Sequence, residues 1–454
     1  MNSIFSSLVF LVAAASQAAV IAPRSSGTAF VQLAESAGTA THLGSGFIYG
    51  FPDNGTEASN AIPDYFLTDI GFRAGRAGGA QITARGWAYG GKAEYDARFQ
   101  STLSNYRTVR KYGADFLLLV HDLWGADGGA TESTPFPGDN GNWTEADLFL
   151  NQLISDMNEN NMLDGVVLDI WNEPDGFGFW ARSWDQYLEY IGHAHKMLKA
   201  AFPYLSISGP SMANAPALDN SNWHTWFEYM AANDVIPDIY SWHQIGLWER
   251  EPDRTVSDFN AFREQYGLPF RPLDLNEYAW PDEQNPASSA YYLAQLERNN
   301  IRGLRANWGG GSNLHDFAAS LLGKDENGAY YPNGEWQLYK YYAAMQGDRV
   351  VTSASSDKLF DAFAVRGDTV KILAGTRLTS DAYDITVTGL ESTSLGLSGV
   401  LSIRTTRFDW NGATGQIDAP VDLGTADYTY TDGTFTINLT PATSSTAYAY
   451  EFSL

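Results

Sequence analysis

Short apolar runs punctuate the chain between about residues 45 and 308. They start near Gly46 (GFIYG), Gly71 (GFRAG), Phe116 (FLLLVHD) and Val166 (VVLDIWNE), and continue near Leu205 (LSISGP), Ile239 (IYSWHQ), Leu273 (LDLNEY) and Gly303 (GLRANW). Several are continuous rather than alternating, as strands buried on both faces are. Helical patterns fill the gaps. Ser183 stands three residues before Gln186 as a capping box, and Tyr187, Tyr190, Ile191, Ala194, Leu198 and Ala201 then share one helical face. Thr144 and Asp147 open a similar segment carrying Phe149, Leu153 and Met157. Strand–helix alternation of this kind predicts an α/β fold, a (β/α)8 barrel over residues 40–346.

Beyond about residue 350 the texture changes. Residues 350–454 are rich in Thr, Ser, Val and Gly, with alternation in YDITVTG, GTFTINLT and TAYAYEFSL and turn signals at Asn411-Gly412 and Asp432-Gly433. This predicts an accessory antiparallel β-sandwich. TAFVQLAES, within residues 27–39, is a candidate further strand of it that precedes the barrel. Gly309-Gly310-Gly311-Ser312 lacks the Lys-Ser/Thr continuation of a phosphate loop and reads as a flexible connection.

At the start, Ile4 to Ala15 is apolar but too short to span a bilayer, and small residues around Ser16-Gln17-Ala18 suit cleavage. Residues 1–18 are therefore expected to be a signal peptide and the mature protein to be secreted. Asn54, Asn142 and Asn438 each open an Asn-X-Thr acceptor pattern for glycosylation. The 454 residues include no cysteine, which excludes disulfides and thiolate metal sites. A formal net charge of -25 argues against nucleic acid or an anionic membrane as partner. Aromatic residues make up 14%, enough both to fill a core and to stack on sugar faces.

Two carboxylates stand out. VVLDIWNEP ends on Glu173, and LDLNEY carries Glu277. In a barrel both strands aim their C-terminal ends at one face, so residues far apart in sequence meet in one site. A carboxylic acid that protonates a leaving oxygen and a carboxylate that attacks the anomeric carbon, or activates water, together suffice for glycosidic cleavage. Such chemistry requires neither metal nor organic cofactor. His193 and His195, two apart on a helix, share no face and make a poor metal pair. Asp169, within its strand, reads as structural.

The stretch DIWNEPDGFGFW followed by WDQYLEY resembles the fourth-strand region of glycoside hydrolase family 39, whose members share a clan with many other retaining barrel glycosidases. The resemblance covers the barrel and implies a β-sandwich as well. It implies Glu173 as general acid/base, Glu277 as nucleophile and Asn172 as a partner of the sugar 2-hydroxyl. It further implies that Arg73, in GFRAG, holds the nucleophile ionised, and that His243, in SWHQ, orients it. Asn-Glu-Tyr at 276–278 and the residues after Arg73 depart from the family pattern, which bears on the substrate. His121, Tyr278, Trp280 and Trp308 are further candidates for touching substrate.

The expected activity is that of a secreted retaining glycoside hydrolase on polysaccharide or oligosaccharide, with β-xylosidase-like exo-action first. An endo-acting polysaccharide hydrolase and an arabinofuranosidase-type enzyme on arabinogalactan are the alternatives. A catalytically silent carbohydrate-binding protein is the alternative from another class.

Overall fold

The computed structural model describes residues 25–245, 251–307 and 314–454. The chain opens with β1 (Thr28–Thr39), which belongs to the sandwich. Eight parallel strands then close into a barrel: β2 (Gly46–Ile48), β3 (Ala74–Ala77), β4 (Asp115–Leu119), β5 (Val166–Asp169), β6 (Ser206–Met212), β7 (Ile239–Gln244), β8 (Leu273–Tyr278) and β9 (Ile301–Arg305). Pairing of β2 with β9 completes the ring. Inward and outward faces are both covered, which is why runs such as FLLL at 116–119 are apolar throughout.

Helices form where the pattern placed them. Trp184–Ala201 starts at Ser183, whose side chain accepts the Gln186 N–H, and it buries Tyr187, Tyr190, Ala194 and Leu198 against the barrel. Thr144–Glu159 buries Phe149, Leu153 and Met157 in the same way.

After a hairpin of β10 (Leu322–Lys324) and β11 (Tyr330–Pro332), the chain enters a nine-stranded sheet. Its members are β1 with β12 (Asp348–Ser353), β13 (Phe360–Arg366), β14 (Thr369–Thr376), β15 (Tyr383–Thr388), β16 (Gly399–Phe408), β17 (Val421–Tyr430), β18 (Phe435–Leu439) and β19 (Ala447–Ser453). The sheet curls on itself around one core that joins Val31, Ile385 and Ile437 to Ile372, Ile403 and Tyr450. Pairing is antiparallel except between β1 and β15, which run parallel because β1 is threaded between β12 and β15.

The two units meet over the helix Pro286–Asn299, which is buried along nearly its whole length. Gly375 of β14 packs on its first turn so closely that a Cβ there would lie 2.1 Å from the Ala287 carbonyl oxygen. Arg298 at its end donates to Asp253 on the barrel side and to Asp361 on the sandwich side. Arg377 reaches Glu283 in the same interface.

Candidate active site

The chain leaves β5 through an abrupt turn. The Gly176 N–H donates to the Glu173 carbonyl at 2.8 Å, with Pro174 at the second position, where its fixed φ suits the turn. Asp175 clamps this turn to the exit of β6 by accepting the N–H groups of Ala213 and Asn214. Glu173 itself sits at φ +45°, a left-handed conformation costly for a non-glycine residue, and its N–H donates to Ser211, at φ +54°. Strain of order 1–3 kcal/mol per such residue persists where the surroundings over-determine it, and it clusters at functional sites.

Across the mouth, Glu277 projects inward from β8. Its Oε1 accepts from Arg76 Nη1 at 2.7 Å. His243, on β7, lies between the acids: its Nδ1 is 2.8 Å from Glu173 Oε1 and 3.7 Å from Glu277 Oε2. One oxygen of each glutamate and one nitrogen of His243 all lie within 4.8 Å of one another. Burial works against charge on His243, but Glu277 and the hydrogen bond to Glu173 outweigh it, so its pKa is raised above the ordinary histidine value. The same three groups could ligate a cation, for which the His243 proton would compete.

Beneath the pair lies a wholly buried polar layer. Arg76 donates from Nε to Asp169 Oδ2 (2.9 Å) and from Nη2 to Asn172 Oδ1 (2.6 Å). Asp169 also accepts from Ser211 Oγ and from Asn276 Nδ2, each at 2.9 Å. Burial opposes the charge of Arg76, but Asp169 and Glu277 together reverse that and hold it more firmly protonated than in water.

The glutamates open into a cavity of about 270 Å³ lined by Tyr49, Gln81, His121, Asp122, Asn172 and Trp280, among others. Asp122 accepts from His121 Nε2 (2.9 Å) and from Tyr49 Oη (2.5 Å). Burial pushes its pKa up, but His121 and Tyr49 more than offset this, and the carboxyl stays below its usual range. Trp280 is 45% exposed at the rim.

Three expectations need correction. Arg73 is exposed and lies before β3, at the opposite end of the barrel, in a depression with His42, Asp115 and Arg302. Gly71, at φ +60°, turns the chain there, so the strand begins at Ala74 and the inward arginine is Arg76, three residues on. Tyr278 faces away from the cavity: it is fully buried, and its hydroxyl pairs with that of Tyr339 at 2.8 Å. His243 lies nearer Glu173 than Glu277, so the acid it chiefly contacts is the former.

Asn172 and His121 are buried at the cavity wall, and Trp280 is at its rim. Trp308, the Gly309–Ser312 run and residues 1–18 lie outside the described residues. The side chains of Asn54, Asn142 and Asn438 are at the surface, the last donating to Asp384. Arg76 was signalled only as the second arginine of FRAGRAGG, and Asp169 only as an acid inside an apolar strand.

No family model matches the chain. In sequence it is similar to a 3-O-α-D-galactosyl-α-L-arabinofuranosidase of Bifidobacterium longum subsp. longum, 24% identical over 53% of this chain and 24% of that protein. The match thus spans about a quarter of the relative's length. In three dimensions it is similar to N2152 from Neocallimastix frontalis, at 20% identity with a TM-score of 0.73, covering 94% of this chain and 99% of that one. A monomeric β-xylosidase from Caulobacter crescentus CB15 superposes with a TM-score of 0.56 at 16% identity, covering 94% and 99% of the two chains. A family 44 xyloglucanase of Paenibacillus polymyxa gives 0.56 at 12% identity, covering 94% and 100%. These likenesses establish the fold: a closed parallel barrel carrying a β-sandwich, an architecture that glycoside hydrolases use.

Proposed function

We propose that this protein is a retaining glycoside hydrolase acting on pentose-containing polysaccharides or their fragments. The observation that carries the reading is the approach of Glu173 and Glu277 to within 4.8 Å around His243. Retention needs carboxyl groups about 5–5.5 Å apart, whereas inversion leaves about 6.5–9.5 Å for a water.

In the first step a Glu277 oxygen bonds the anomeric carbon as the bond from that carbon to the leaving oxygen breaks, and the leaving oxygen takes the proton of Glu173. In the second, Glu173 takes a proton from water, whose oxygen bonds the anomeric carbon, and Glu277 departs as a carboxylate. Arg76 takes the part expected of Arg73. With Oδ1 engaged by Arg76, Asn172 offers its Nδ2–H to the sugar 2-hydroxyl. Trp280 offers an apolar face at the rim.

β-Xylosidase-like exo-action is the first reading. It is supported by the likeness to the Caulobacter β-xylosidase, whose fold covers nearly the whole chain. Arabinofuranosidase-type action is the second, favoured by the sequence match to the Bifidobacterium enzyme. Secretion and glycosylation at Asn54, Asn142 and Asn438 belong to the same proposal, resting on the N-terminal sequence and the acceptor patterns.

The test is a panel of 4-nitrophenyl pentosides and hexosides, with the anomer of the first-formed product read by proton NMR. Turnover with retained configuration is expected. An inverted first product would overturn the mechanism, and binding of sugars without turnover would make the protein a carbohydrate-binding one.

A further inference from the structure

Asp169 is an unusual burial. It sits four residues before Glu173 on β5, fully buried, and takes donors from three other strands: Arg76 on β3, Ser211 on β6 and Asn276 on β8. A buried ion pair is seldom worth more to stability than apolar packing of the same volume. Its placement against the cation that also holds Glu277 gives it another use.

We propose that Asp169 is a positioning residue of the reaction, one that shares Arg76 with Glu277 so that the cation holds Glu277 ionised through Nη1 and stays paired when Glu277 loses its charge. The inference rests on Glu277 being the nucleophile. Arg76 meets Asp169 through its Nε and Nη2, Glu277 through Nη1 and Asn172 through Nη2. A guanidinium with a single carboxylate partner closes on it as a two-pronged fork, engaging both oxygens. Asp169 anchors the Nε edge and so prevents that closure: Arg76 meets Glu277 through Nη1 at Oε1, while Oε2 lies 3.7 Å from His243 Nδ1.

The second consequence appears once the glycosyl ester forms. Glu277 then has no charge, and an Arg76 without Asp169 would be a buried, unpaired cation. With Asp169 the Arg76 pair stays neutral through both steps. Loss of the Asp169 charge therefore opposes formation of the ester and favours its breakdown.

The experiment compares wild type with Asp169→Asn, using a 2,4-dinitrophenyl 2-deoxy-2-fluoro-β-xyloside, or the α-L-arabinofuranoside counterpart if that is the sugar turned over. Dinitrophenolate release reports the first step, recovery of activity by the isolated labelled protein reports the second, and peptide mass analysis locates the label. We expect the label on Glu277, a first step slowed about 100-fold in Asp169→Asn, and a second step unchanged or faster. An equal loss in both steps would show a merely structural role and overturn the inference. A label on any residue other than Glu277 would instead refute the parent mechanism.

Should Asp169→Asn fail to fold, ¹⁵N-arginine NMR of the wild type decides. The Arg76 Nε–H and its separate Nη signals should persist after trapping, because Asp169 still holds that edge. Collapse to averaged signals on trapping would overturn the inference.

Discussion

The two ends of the barrel carry similar ingredients to different effect. At the N-terminal end Arg302 joins Asp274 and Asp115, and Arg73 stands exposed beside a depression of about 650 Å³. At the C-terminal end Arg76 joins Asp169 and Glu277 beside a cavity of about 270 Å³. The larger opening holds neither glutamate. What separates the ends is enclosure: the Arg76 network is sealed, strained at Glu173 and Ser211, and shares its cation between two acids. Arg302 neutralises acids whose place is already set by the strand ends. Charges gain chemical use where water is excluded and one of them is left poised, rather than where space is greatest.

The comparison breaks most severely at the glutamates. Glu277→Ala should lose about 10⁴-fold or more in turnover for every substrate. Glu173→Ala should lose most on poor leaving groups and regain part of its activity with azide. Equal, mild losses in kcat for both would remove the C-terminal face as the site.

The two arginines of FRAGRAGG come next. Arg76→Met should lower kcat/KM by about 10²- to 10³-fold. Arg73→Met should stay within about twofold. Steady-state kinetics on one chromogenic glycoside would reverse the assignment if the order were inverted.

His243 supplies a pH signature. Its folded pKa is raised, so the stability its charge contributes is fully present below the ordinary histidine pKa, about 6.5. That contribution is lost as pH rises through the folded value. The Tm advantage of wild type over His243→Gln should thus be greatest in acid and shrink above neutrality; an advantage that grows with pH would contradict the bridge between the glutamates.

The smallest kinetic effect is expected at the N-terminal end. Arg302→Met strands a buried Asp274 and should cost about 3–5 kcal/mol in denaturant unfolding while leaving kcat/KM unchanged. A loss of turnover without a loss of stability would give that end a part in the reaction.

All eight barrel strands were legible in outline, most clearly β4 (DFLLL) and β5 (VVLD), whose apolar runs are what burial on two faces demands, and least clearly β3 (AGRA). The errors arose at residues where one or two positions of frame decide direction. Gly71 reads as the start of a strand by composition, yet its positive φ makes it the end of a turn, and the frame moves from Arg73 to Arg76. Tyr278 follows an inward Glu277, and alternation alone sends it outward. Irregular register between β7 and β8 at Trp242/His243 has no sequence mark, so which glutamate His243 meets could not be read. Asp169 could be read as a structural residue of its strand, but its partners come from β3, β6 and β8, and no local pattern joins them.

The place of β1 bears on how the molecule is made. It is the first strand of the described chain to leave the ribosome, yet its partners β12 and β15 begin at Asp348 and Tyr383, near the other end. The barrel can close while β1 waits with an open edge, and the sandwich can be completed only after the barrel strands have been made. The barrel is in effect an insertion between two strands of the smaller unit. A chain truncated before β12 would leave β1 unpaired and bare the helix Pro286–Asn299, so the sandwich is not a module that can be trimmed away, and shortened chains should aggregate rather than yield a free-standing barrel.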